Sequence, residues 1–238
     1  MTEGNESSAA ERRVWDLPVR VFHWALLVAV IGSYVTHAAG VQWFRYHVWC
    51  GYVVLVLVCF RILWGVVGTR HARFRNFVRG PVTTLRYALD LLRGRAAPYT
   101  GHNPLGAWMV LLLLAALLAQ AALGLFGNDE IFNFGPLYGY VSHDLSLALT
   151  TVHRNLFWVI VGAVVLHVAA VAYHRVVKRE DLVRAMLTGR KPATVVPEGE
   201  AIGASRLLLA VVIVAALAAA LAYVVQHAPV PQDAGTFN

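Results

Sequence analysis

Charge is scarce in this chain: Asp, Glu, Lys and Arg make up only 14% of its 238 residues, against about a quarter in a soluble globular domain. That shortage, with 58% hydrophobic residues and a mean hydropathy of +0.60, excludes an ordinary soluble domain. Cysteine is nearly absent. Cys50 and Cys59 fall nine positions apart in one apolar stretch, about 13.5 Å along a helix, too far to bridge. No Cys-x-x-Cys-His run occurs, so nothing signals a covalently attached c-type haem. There is no repeat of conventional period and no low-complexity linker. The start, MTEGNESSAAERR, is too polar to be a signal peptide in itself. The apolar run from Val21 to Val35, followed by THAAG, is expected to be retained, because the later segments need it for their topology.

Basic residues are missing from particular places. Gly127 to Val152 contains Asp129, Glu130 and Asp144 but no Lys or Arg, and the C-terminal tail has no Lys or Arg either. What is present is five apolar runs, approximately 19–36, 47–67, 104–126, 151–173 and 207–225, each near the roughly 20 residues that a membrane-crossing helix needs. The segments between them alternate in charge. Arg12, Arg13 and Arg20 precede the first span, and only Arg45 lies between the first and second. The third segment holds Arg70, Arg73, Arg75, Arg79, Arg86, Arg93 and Arg95 against Asp90 alone. After the fourth span come Arg175, Lys178, Arg179, Arg184, Arg190, Lys191 and Arg206. By the positive-inside rule the chain is expected to be multi-pass, with a cytoplasmic N-terminus and a C-terminus on the opposite side of the membrane. The formal net charge of +7 is thereby read as topology and not as a nucleic-acid-binding face. Two inner segments, 81–94 and 180–189, read as short amphipathic helices at the lipid surface, with Val82, Leu85, Leu89 and Leu92 striping the first.

Of ten histidines, His37, His71, His143, His174 and His227 are read as solvated loop residues, while His23, His47, His153 and His167 lie within spans. A polar side chain at such a position is costly and functional more often than elsewhere. His153 and His167 are fourteen positions apart in the fourth span, which returns them to within about 40° of one helix face and separates them by about 21 Å. Topology gives each histidine a depth: His23 and His167 near the inner face, His47 and His153 near the outer. Two nitrogen donors per depth fall short of the four that zinc usually takes. A porphyrin supplies the remaining four itself, so each pair is read as the axial ligands of a haem iron. Haem propionates require cationic partners. Candidates are Arg61, fourteen residues after His47; Arg20, three before His23; and Arg154, beside His153. Arg20 and Arg154 are equally accounted for as topological charge.

The segments LPVRVFHW, YHVWCGYVVLVLVCFRILWGVVG, GHNP and HRNLFWVIVGAVVLHV resemble the bacterial cytochrome b561 family, in particular the b-type cytochrome subunits of nickel–iron hydrogenases. The resemblance spans roughly 14–190. It implies an all-α integral membrane fold, a four-helix bundle holding two b haems on His23, His47, His153 and His167, and electron exchange between a membrane quinone and a redox partner. The fifth run, LLLAVVIVAALAAALAYVV, is additional to that pattern. The expected organisation is a cytochrome domain over 1–190, then a linker, fifth transmembrane helix and periplasmic tail over 191–238. The fifth helix is expected where a partner subunit's own membrane helix would otherwise sit, leaving a soluble periplasmic partner: a c-type cytochrome, or a dehydrogenase or hydrogenase subunit. His102 and Asn103 are candidate quinone contacts, with the competing reading that Asn103 and Pro104 merely open the third span. The leading function is thus a dihaem b-type cytochrome, the electron-transfer subunit of a membrane oxidoreductase. A superoxide:quinone oxidoreductase of similar fold is the first alternative. A non-redox transporter or scaffold is the second.

Overall fold

The computed structural model describes residues 10–229. Five helices in it are long and apolar enough to cross a membrane: α1 (Leu17–Ala38), α2 (Phe44–Val67), α5 (Pro104–Gly124), α6 (His143–Val176) and α8 (Leu207–Gln226). Around them are β1 (Glu11–Arg13), α3 (Phe74–Phe77), α4 (Pro81–Leu92), α7 (Leu182–Thr188) and β2 (Arg190–Pro192). The chain is a membrane protein, and the apolar side chains left exposed along the long helices, such as Val28, Trp158, Leu166 and Leu208, are those that a bilayer would cover.

By contact the chain divides into two compact units. The first comprises the described residues up to Val21, then Leu63–Val110 and Val168–Leu207. Its centre is Asp16, which is 1% exposed. Asp16 caps α1 by accepting from the Val19 N–H at 2.7 Å, and its other oxygen accepts from Trp64 Nε1 at 3.0 Å and Thr69 Oγ1 at 2.5 Å. A buried carboxylate is tolerated when its lone pairs are filled in this way. β1 pairs antiparallel with β2. Gly189 ends α7 in the left-handed conformation, φ 79°, and its carbonyl accepts from both Val14 N and Trp15 N. A Cβ at Gly189 would meet Trp15 O at 2.7 Å, so glycine is required there for space as well as for φ. The short helices lie where the amphipathic pattern places them, and the small sheet joins the sequence-distant ends of the 14–190 region, which local pattern does not reveal.

The second unit comprises Phe22–Ile62, Leu111–His167 and the described residues from Leu208 on. Phe22 meets Phe60, and Tyr34 stacks on Phe157 with centroids 5.6 Å apart, bringing α1 against α2 and α6. At Gly32 the helices approach closely enough that a Cβ would lie 3.2 Å from Cys50 Sγ. α6 begins at His143, eight residues before the apolar run. Ser142 caps it, its Oγ accepting from Leu145 N, and Asp144 in the first turn suits the helix dipole. His143 is therefore a helix residue and not a loop one. In α8 only Ala210 is buried, although the alanines of that helix would allow closer packing.

Candidate functional site

All four span histidines lie in the second unit, two of them on α6 and one each on α1 and α2. The structure brings His23 to His167, with ring centroids 6.5 Å apart, and His47 to His153, at 6.3 Å. A metal ion between two opposed imidazoles sits about 2.0 Å from each nitrogen, and each nitrogen lies about 1.2 Å from its ring centre, so such centroids stand about 6.4 Å apart. Both pairs match that separation. Among the described residues no group of three or more His, Cys, Asp or Glu is arranged to hold a metal ion. A planar ligand that brings its own donors therefore fits these pairs better than a bare ion does.

The surroundings of the outer pair fix its tautomers. His47 Nδ1 donates to the Ser33 carbonyl at 2.9 Å, with Ser33 Oγ at 3.2 Å, and His153 Nδ1 donates to the Gln120 carbonyl at 2.9 Å. Each Nε2 is left as the acceptor nitrogen, the arrangement that orients a ligating imidazole and raises its basicity. The Gln120 amide nitrogen lies 3.3 Å from His153 Nε2. Gly124 faces the same ring, where a Cβ would meet His153 Cε1 at 3.0 Å, while a Cβ at Gly51, one turn after His47, would meet nothing within 4 Å. The inner pair is supported differently, since His23 Nδ1 is buried without a hydrogen-bond partner among the described residues. Ser33, Gln120 and Gly124 carry no sequence signal of their own. They come to light only once the helices are packed.

His37 is the histidine that sequence reasoning passed over. It lies in the last turn of α1, with its ring 5.7 Å from that of His47. Its fourteen-residue distance from His23 repeats the interval seen on α6 and was the available clue. His37 is nonetheless exposed, whereas the four paired histidines are half-buried.

The other candidate residues are placed as follows. Arg61 is buried within α2, 2% exposed. Arg20 donates to Leu187 O at 2.5 Å, and its buried Nε has no hydrogen-bond partner among the described residues. Arg154 is exposed on α6. His102 lies between Trp15 and Phe77, tilted against both rings, with centroids at 4.8 and 4.7 Å. Asn103 caps α5, its Oδ1 accepting from Gly106 N at 2.8 Å, and its amide nitrogen lies 3.3 Å from His174 Nε2. His174 Nδ1 in turn donates to Glu180 Oε2 at 2.9 Å. That hydrogen bond, ahead of the nearby Lys191 and Lys178 charges, holds the Glu180 carboxyl below its ordinary range.

Comparison with known proteins identifies the family of the chain. A family model described as prokaryotic cytochrome b561 matches residues 14–189. The chain is similar to a probable Ni/Fe-hydrogenase B-type cytochrome subunit of Rhodobacter capsulatus, 28% identical over 216 residues that cover 75% of this chain and 80% of that one. A protein of the same description from Rhizobium leguminosarum bv. viciae is 26% identical, covering 79% and 93%, and one from Cupriavidus necator is 24% identical, covering 74% and 85%. No solved structure matches the chain significantly. The match covers α1, α2, α5 and α6 with all four paired histidines, and the chain belongs to the prokaryotic cytochrome b561 family.

Proposed function

We propose that this protein is a dihaem b-type cytochrome that carries electrons across the inner membrane between the quinone pool and a redox partner on the periplasmic side. The observation that carries the reading is the pair of imidazole separations, 6.5 and 6.3 Å, at the two ends of one interval on α6. A haem, when bound, takes up and releases a single electron at its iron. The chain's own residues set the conditions. His23 and His167 hold the inner group, His47 and His153 the outer, and α6 alone spaces the two sites by about 21 Å. The Ser33 and Gln120 carbonyls orient the outer imidazoles through Nδ1, and the Gln120 amide would give way to a haem held at His153 Nε2. Gly51 leaves room for a macrocycle edge, and Gly124 leaves room for the His153 ring. Arg61 offers a cation to the inner propionates. Arg20 and Arg154 are the further candidates, with Arg20 already holding Leu187 O.

The relatives' names favour a nickel–iron hydrogenase as the outer partner. The connection between α5 and α6 carries Asp129 and Glu130, with Asp144 in the first turn of α6, and no Lys or Arg. This acidity suits a basic protein surface and repels the superoxide anion, which weighs against a superoxide oxidase. On the quinone side, Asn103 is engaged as a helix cap and with His174, His102 packs between Trp15 and Phe77, and the two together remain the candidate contacts. The test is a reduced-minus-oxidised spectrum with pyridine haemochromogen quantitation on the purified wild-type chain. Two b haems per chain, reducible by quinol or by hydrogenase with hydrogen, are expected. A spectrum without b-haem bands would leave a transporter or scaffold as the better reading.

A further inference from the structure

Outside the histidine pairs, the first unit forms an open cavity of about 1070 Å³ whose lining includes Arg70, Arg73, Arg75, Arg79 and Arg206 against a single carboxylate, Glu200. That volume lies at the upper end of ligand-binding pockets. Five guanidinium groups around one concavity repel each other unless an anion joins them. The positive-inside rule explains basic residues near span ends, but it does not require residues as distant in sequence as Arg79 and Arg206 to converge on one space.

The arginines are also held in place. Arg70 Nη1 donates to Gly199 O at 2.7 Å, Arg73 Nε to Gly68 O at 2.8 Å and Arg206 Nη1 to Val67 O at 3.0 Å. Arg70 Nη2 also pairs with Glu200 Oε1 at 3.4 Å, and Arg79 donates to Val78 O and Asn76 O, whereas Arg73 and Arg206 are each anchored through one nitrogen and turn the rest of a rigid fork to an oxyanion. One wall of the cavity is the 195–204 segment, fastened by His71 Nε2 donating to Glu200 O at 2.8 Å and by Ile202 N donating to Arg13 O at 3.0 Å. This segment lies beyond the family match, which ends at residue 189, so the site is built by this chain's own extension toward α8.

We propose that this cavity binds the phosphate headgroup of an anionic phospholipid. The rim favours a lipid over a dissolved anion. Arg206 immediately precedes α8 and reaches the last residue of α2. Arg79 leads into α4, whose Val82, Leu85, Leu89 and Leu92 are 42–85% exposed, an apolar stripe suited to lie in the bilayer surface. Basic pockets at the cytoplasmic ends of membrane helices suit such headgroups.

The experiment uses the full-length protein, delipidated in detergent, with cardiolipin, phosphatidylcholine or inorganic phosphate added, and reads bound lipid by native mass spectrometry. Cardiolipin should bind stoichiometrically, phosphatidylcholine should not, and millimolar phosphate should leave cardiolipin in place. The double variant Arg73→Gln, Arg206→Gln should weaken cardiolipin binding by at least about tenfold, the loss expected when hydrogen bonds to a charged group are removed. Arg93→Gln with Arg95→Gln, in the same basic connection but outside the cavity, should bind as wild type does. If the first double variant fails to fold by circular dichroism, Arg206→Lys, which keeps the charge and loses the fork, should weaken binding measurably. Equal loss in both double variants, no loss in the Arg206→Lys protein, displacement by phosphate, or no cardiolipin binding at all would each overturn the proposal.

Discussion

His37 and His47 stand 5.7 Å apart in the second unit, and only their surroundings distinguish them. His47 is half-buried and donates to Ser33 O, while His37 is exposed. His37→Ala should therefore leave both haems in place and shift the outer haem's potential only slightly, whereas His47→Ala should remove that haem. Haem content and a redox titration of the two variants check this. Glu180 gives a prediction of a different kind. Its folded-state pKa is depressed below 4.5, chiefly by the hydrogen bond from His174. The pair's contribution is thus fully present above the unfolded value and is lost as pH falls through the depressed one. Acid unfolding monitored by circular dichroism should be less steep below about pH 4.5 in Glu180→Gln than in wild type. At this scale the sequence was partly legible. Fourteen-residue spacing and depth pair the four histidines unaided, because helix rise and phase are fixed. Ser33, Gln120 and Gly124 are invisible to such reasoning, because they matter only through contacts between helices.

The spans follow from length and apolarity, and the observed helices differ from them mainly at their ends. α6 runs back to His143 because Ser142 caps it and Asp144 favours its first turn, although the residues added are not apolar enough to mark a span. Asp16 was likewise unremarkable as one acid in a basic leader, yet it caps α1 and receives Trp64 and Thr69. Asp16→Ala should lower stability by about 2–4 kcal/mol, since it removes a cap and leaves two donors without their acceptor. Asp16→Asn, which keeps one acceptor oxygen, should cost less. Gly189→Ala should cost about 1–3 kcal/mol, from the left-handed backbone and the approach of Trp15 O. Thermal unfolding of the detergent-solubilised protein reports all three, with haem absorbance following separately.

For the molecule as a whole, the four haem-ligand candidates lie on α1, α2 and α6, inside the family match, and α8 lies outside it. α8 buries only Ala210. Removal of residues 207–238 should leave haem content and spectrum unchanged, and any loss should appear instead in association with a partner. That α8 is extra was legible from the sequence, since the pattern of the family ends before it. The fastening of its preceding segment over the arginine-lined cavity was not, because it depends on hydrogen bonds such as His71 to Glu200 O across a long interval of chain.

The central claim is that α6 serves two haems through His153 and His167, each completed by a different helix. Pyridine haemochromogen quantitation with low-temperature reduced-minus-oxidised spectra on His47→Ala and His167→Ala tests it most directly. One haem should remain in each variant, with different residual α-band positions: the inner haem in His47→Ala and the outer in His167→Ala. Two haems retained in either variant, or the same haem lost from both, would contradict the pairing.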